Sequence, residues 1–147
     1  MNDLQQGIDL ETSLGYLLKE ASSALRTAME AVLRPLGMTV THYSCLELLA
    51  QRPGLSNSEL ARGTFVSRQS MNVLLQSLEH DGIVTRPVEA RVGKTLPTQL
   101  TPRGRRELAK ATAAVKAVED RMLAELDATS RQQARRILRS MVTSLGR

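Results

Sequence analysis

Apolar residues recur at helical spacing near the start of the chain, where Leu14, Leu17, Leu18, Ala21, Leu25, Ala28, Met29, Val32 and Leu33 form one stripe. Pro35 and Gly37 end it, which predicts a long first helix. Thr39 is placed to cap a second helix of about three turns, with Tyr43, Leu46, Leu49 and Ala50 as its apolar positions and Pro53-Gly54 as its end.

Ser56-Asn57-Ser58-Glu59 reads as a capping box, in which the serine hydroxyl accepts from the Glu59 N–H and the glutamate reaches back to the Ser56 N–H. It opens a short third helix with Leu60 and Ala61 inward, closing near Gly63-Thr64. Ser67 then caps a fourth helix in which Met71, Leu74, Leu75 and Leu78 fall at i, i+3, i+4 and i+7. The opposite face carries Arg68, Gln69, Asn72, Val73 and Gln76. Two helices joined by so tight a turn form a helix-turn-helix.

Gly82 occupies the position of a C′ glycine, and Ile83 and Val84 begin a strand-like run to about Ala90. Gly93-Lys94 reads as a hairpin turn with Thr95 to Leu100 returning, and Pro97 confines that strand to an edge or a bulge. Thr101-Pro102 opens a fifth helix with an apolar stripe at Leu108, Ala111, Val115, Val118, Met122 and Leu126, about 26 residues or roughly 40 Å long. Thr129-Ser130-Arg131-Gln132 reads as a second capping box, and Ala134, Ile137, Leu138, Met141 and Leu145 give the last helix one apolar face.

The expected fold is mostly α with a small β-hairpin wing: a winged helix-turn-helix domain over 38–100, flanked by helices over 12–37 and 101–147. Those flanking helices leave apolar stripes at both ends of the chain, most economically buried against the same elements of a second copy. A homodimer is expected.

Composition narrows the class. Aromatics make up 2% of the 147 residues and Trp is absent, which suits helices packed by aliphatic side chains better than a β-sandwich. The net charge is +5, and residues 52–110 alone carry ten basic against five acidic side chains, a surplus equal to that of the whole chain. A basic centre suits a polyanionic partner. Cys45 is the single cysteine, so no disulfide forms within the chain. The start, MNDLQQGIDL, lacks the basic and apolar regions of a signal peptide, and no apolar run approaches the roughly 20 residues that span a bilayer. The expected location is the cytoplasm, with no membrane contact.

The major groove of B-DNA admits one α-helix, and its base edges are told apart by polar side chains near that helix's N-terminus. Ser67, Arg68, Gln69, Ser70 and Asn72 meet that requirement. Arg68 can donate bidentately to guanine, Gln69 or Asn72 can pair with adenine, Val73 can touch a thymine methyl, and Gln76 can reach the flank. Backbone N–H groups where the third helix starts, at Ser56 and Asn57, and where the fourth starts can hold phosphates. In the hairpin, Arg86, Arg91 and Lys94 are placed for the minor groove or the backbone. The bland reading of the same stripe is a solvated surface; the order of capped helix, tight turn, polar-headed helix, basic hairpin and long flanking helices favours DNA.

Over about 13–145 the chain resembles the MarR family of winged-helix bacterial transcription regulators. The resemblance rests on LRPLGMTVTHYSCLELL, RPGLSNSELA, VSRQSMNVLLQSLEHDGIV and QLTPRGRREL, in that order and at that spacing. It implies a dimeric regulator that binds a palindromic operator on double-stranded DNA and releases it on binding a small molecule or on oxidation. The chain departs from the family where Val73 stands in place of a frequent basic residue, and at Val92-Gly93-Lys94, where an Asp-Arg pair is common.

The resemblance also implies an effector crevice between the dimerisation helices and the winged domain, to which Arg26, Met29, His42 and Tyr43 are candidates to contribute. Tyr43 also reads as a core residue and His42 as a solvated residue at a helix start. Redox sensing through Cys45 is a further alternative, against which stand its mid-helix position and the lack of a resolving cysteine. An enzyme finds little support, because two histidines and one cysteine form no metal-spaced cluster and no phosphate-cradling loop is present. No cofactor, metal or catalytic residue is expected. The leading function is a homodimeric, sequence-specific DNA-binding regulator, a repressor released by an effector; a helical dimer that recruits a protein partner is the other class.

Overall fold

A computed structural model describes residues 7–86 and 98–146. Its helices are α1 (Leu14–Leu33), α2 (Val40–Gln51), α3 (Asn57–Gly63), α4 (Arg68–His80), α5 (Pro102–Met122) and α6 (Ala128–Ser144), with strands β1 (Val84–Thr85) and β2 (Gln99–Leu100) between α4 and α5. The two strands pair antiparallel, Val84 opposite Leu100 and Thr85 opposite Gln99. Mostly helical with a small two-stranded sheet, the fold is the expected one. The hairpin turn at Gly93-Lys94 lies outside the described residues.

The helix starts follow from local chemistry. Thr39, Ser56, Ser67 and Thr101 each accept a backbone N–H three residues on, and at Ser56 both halves of the capping box form. Gly37 and Gly82 take left-handed backbone, with φ of 74° and 75°, where the chain must leave a helical turn.

The core lies where α2, α3, α4, the strands and the first half of α5 meet. Leu33, Cys45, Leu46, Leu60, Met71 and Leu75 are sealed from solvent within it, with Leu78 and Val84 beside them. Met71, Leu75 and Leu78 turn inward from α4 and Leu74 is half-buried, so the recognition helix is held by its expected stripe. Ala50, expected inward, is exposed at the end of α2, while Cys45 is buried along with Tyr43, Leu46 and Leu49.

Two expected boundaries are corrected. α5 stops at Met122 rather than near Leu126: Leu123 caps it, and the Arg131 guanidinium donates to the carbonyls of Leu123 and Leu126, both at 2.9 Å. Those bonds satisfy carbonyls at the helix end that a continuing helix would have used. The next helix is opened by Asp127 instead of a box at Thr129, because the Asp127 carboxylate accepts the Ser130 N–H at 2.8 Å. That N–H holds the Asp127 carboxyl below its ordinary range, and the negative charge suits the positive end of the helix dipole.

No helix among the described residues is long and apolar enough to cross a membrane.

Candidate nucleic-acid interface

α4 presents an exposed polar face. Arg68, Gln69, Asn72, Val73 and Gln76 are all exposed, Val73 at 62%, while the opposite stripe anchors the helix. Ser67 Oγ accepts the Ser70 N–H and donates to Ser70 Oγ, both at 3.0 Å, so these two hydroxyls shape the first turn. The Arg68 guanidinium lies 3.4 Å from Ser58 Oγ on α3. This steadies the side chain while leaving most of its donors outward.

Asn72 joins three elements. Its Oδ1 accepts, at 3.5 Å each, from Asn57 Nδ2 on α3 and from the Arg86 guanidinium just beyond β1. Arg86 does not extend outward as a wing arginine would. It turns back to α4, where its N–H donates to Glu79 at 3.3 Å and its Nε lies 3.9 Å from the same carboxylate. A carboxylate on the preceding helix competes with any phosphate for that guanidinium. Arg91 and Lys94 lie outside the described residues.

The two helix N-termini are not equivalent. α3 carries Glu59 in its first turn, held below the ordinary carboxylate range by the Ser56 backbone N–H and then by its hydroxyl. That ionised group already neutralises the helix end beside Ser56 and Asn57. The first turn of α4 has no acidic residue and begins with Arg68, so of the two expected phosphate seats it is the better one.

The four residues proposed for an effector are not brought together within one chain. Arg26 pairs with Glu30 at 3.1 Å and lines a cavity of about 480 Å³ with Arg34 and Thr39. Met29 packs on the core. His42 lines a separate cavity of about 380 Å³ with His80, Asp81, Arg103 and Glu107. Its Nε2 is buried without a hydrogen-bond partner among the described residues; desolvation lowers its pKa, against a smaller opposing pull from Asp81. Tyr43 is buried, and its hydroxyl donates to Glu47, which also accepts from Thr112 Oγ1 on α5 at 3.0 Å. Burial and then the Glu47 carboxylate push the phenol upward, so Tyr43 serves as a neutral tie between α2 and α5.

Cys45 is sealed in the core, with its Sγ 3.8 Å from Met71 Sδ, and burial pushes its thiol up to about 12. A redox sensor needs the opposite environment, a lowered pKa with solvent access. No group of three or more metal-ligating side chains forms among the described residues.

Sequence reasoning missed two features. One is a cavity of about 440 Å³ where the end of α2 and β2 meet α5, lined by Ala50, Leu100 and Leu108 with Arg105, Thr112 and Lys116. The small residues Ala50 and Ala109 leave this space open, a signal visible only once the elements are brought together. The other is Phe65, exposed in the turn between α3 and α4.

Comparison with known proteins gives one picture. The MarR family profile matches residues 36–94. The HTH-type transcriptional repressor Rv2887 of Mycobacterium tuberculosis is 42% identical over 135 residues, covering 92% of this chain and 97% of the relative. Its crystal structure with DNA superposes with a TM-score of 0.73 at 42% identity, covering 88% of this chain and 98% of the other. The same protein with salicylic acid gives 0.72 at 43% identity, covering 88% and 96%.

Proposed function

The chain belongs to the MarR family of DNA-binding transcription regulators, and on that premise we propose that it is a homodimeric repressor released from a palindromic operator by a small aromatic carboxylate. The observation that carries the reading is α4: a helix fixed by Met71, Leu75 and Leu78 whose other face offers Arg68, Gln69, Asn72, Val73 and Gln76 to a groove. Residues 38–100 read the DNA in the cytoplasm, and 12–37 with 101–147 dimerise.

Dimerisation is supported by what one chain leaves uncovered. α6 has no buried residue and exposes Ile137, Leu138 and Val142, with Leu145 beyond them, while α1 exposes Leu14 and Leu18. Apolar surface of that extent belongs against a partner, and a two-fold dimer places two copies of α4 about one turn of DNA, roughly 34 Å, apart.

The effector reading draws on the relative seen with salicylic acid and on the cavity between α2, β2 and α5. Leu100 and Leu108 suit an aromatic ring, and Arg105 and Lys116 suit its carboxylate. A ligand wedged there changes the angle between α5 and the DNA-reading part, and hence the spacing of the two recognition helices.

A mobility-shift titration on the DNA upstream of the protein's own gene tests this. The complex should weaken steeply as salt rises and dissociate on adding salicylate, and Arg105→Ala with Lys116→Ala should raise the salicylate needed. Binding that ignores both salt and Arg68→Ala would refute the DNA reading, and salicylate-insensitive binding would refute the effector.

A further inference from the structure

Asn72 stands on the exposed face of α4 one turn after Arg68, and its amide oxygen is already engaged. Two donors from outside the helix converge on Oδ1, Asn57 Nδ2 from the first turn of α3 and the Arg86 guanidinium from beyond β1, each at 3.5 Å. Both donors are anchored. Asn57 follows the Ser56 cap, whose capping box is complete, and Arg86 is pinned to Glu79 through its backbone N–H at 3.3 Å and its Nε at 3.9 Å.

The polarity of this arrangement is fixed by chemistry. A guanidinium has donors only, and an amide turned over would set its own NH2 against both Arg86 and the Asn57 NH2. A carbonyl oxygen has two lone pairs, and two donors fill both. Among the described residues nothing accepts from Asn72 Nδ2, so what α4 has left to offer at this position is a pair of N–H donors. The bidentate contact of an asparagine with adenine needs both ends of the amide, the oxygen accepting from N6 while the nitrogen donates to N7. Asn72 has lost the accepting half.

We propose that Asn72 reads DNA as a donor alone and selects a G·C pair over an A·T pair. Guanine sets two acceptors, O6 and N7, side by side in the major groove, whereas in an A·T pair the adenine N6 amino group stands between the acceptors N7 and O4. Asn57 and Arg86 are then positioning residues, which act through the Asn72 amide by setting which end of it faces outward. The inference rests on α4 lying in the groove, and it replaces the adenine contact expected for Asn72 with a guanine contact.

The test is selection from a pool of random duplexes by the full-length protein. Comparing wild type with Asn72→Ala locates the position in each half-site at which preference is lost, and that position should hold a G·C pair favoured over A·T by about tenfold. Replacing its guanine with 7-deazaguanine, which turns the N7 acceptor into C–H, should weaken the wild type about fivefold and leave Asn72→Ala unchanged. Asn72→Asp, which keeps an oxygen for Asn57 and Arg86 but offers no outward donor, should lose the preference as alanine does. Arg86→Ala alone leaves Asn57 on the oxygen and the preference in place. Asn57→Ala combined with Arg86→Ala lets the amide turn, and should bring G·C and A·T to within about twofold at this position only, a change that a general loss of stability does not produce. An A·T pair at the position, no position altered by Asn72→Ala, full tolerance of 7-deazaguanine by the wild type, or an unchanged ratio in the double variant overturns the proposal. Arg68→Ala separates the two levels: a shift at its own position with none from Asn72→Ala ends the Asn72 reading alone, and no shift from either ends the recognition-helix reading with it.

Discussion

Gly104, in the first turn of α5, lies so close to Ile83 that a Cβ on the glycine would overlap the Ile83 carbonyl oxygen. Thr101 secures the same junction: its N–H donates to the Ile83 carbonyl at 3.0 Å, and its Oγ1 both donates to Gly82 O at 2.6 Å and accepts the Gly104 N–H at 3.0 Å. The segment entering β1 thus meets α5 backbone to backbone at Gly104, with the Thr101 hydroxyl bridging beside it.

Gly104→Ala is therefore expected to destabilise the fold by roughly 1–3 kcal/mol, the usual cost of overpacking a site where backbone must yield. Thermal unfolding of the variant against the wild type measures it. An unchanged midpoint would mean that α5 and Ile83 are less tightly apposed than the structure has them.

Cys45 should be inert in the native protein. With the thiol raised to about 12 by burial, it remains neutral throughout the pH range of ordinary assays, and only the thiolate reacts. A chromogenic disulfide reagent at pH 8 should label it slowly in buffer and rapidly in denaturant, and brief peroxide treatment should leave operator binding intact. Rapid native labelling would reinstate oxidation as a control.

His42 gives the fold an acid sensitivity with a definite sign. Its folded pKa lies below the unfolded value of 6.5, chiefly through desolvation. The unfolded chain thus binds more protons, and stability falls as pH drops below about 6.5 while being unaffected above it. His42→Gln should lose less stability than the wild type between pH 7.5 and pH 5.5, as read from denaturant midpoints. Equal losses would assign the acid sensitivity to other groups.

A charge on the uncovered face of α6 should separate the subunits. Ile137 and Leu138 are about half exposed in one chain, so Leu138→Glu leaves the monomer's core untouched and buries an unpaired carboxylate in any interface, at a cost of several kcal/mol. Sedimentation should show the monomer at micromolar concentration, with operator affinity falling along with the dimer. A variant that still sediments as the dimer would place the interface elsewhere.

Arg68→Ala and Arg86→Ala should differ in kind. Arg68 faces outward, and its loss should relax base preference by about 1–3 kcal/mol at the position it reads. Arg86 acts through Glu79 and Asn72, so its removal should lower stability and operator affinity modestly without altering which sequences are preferred. Selection from a random pool, repeated with each variant, distinguishes these outcomes.

What was legible in the amino-acid sequence is what short-range chemistry decides. The caps at Thr39, Ser56, Ser67 and Thr101, and the left-handed turn at Gly82, each rest on hydrogen bonds or backbone freedom within a few residues. The inward stripe of α4 follows from helical periodicity alone. The tertiary structure decided whatever depends on partners distant along the chain. Asn57 of α3 and Arg86 beyond β1 meet on Asn72 of α4, and Thr101 at the start of α5 closes on the Gly82 and Ile83 carbonyls. Tyr43 is tied toward α5 because Thr112 and Glu47 meet there. Such choices are settled by which groups compete for one donor or one space after the helices have packed, and no local pattern contains that information.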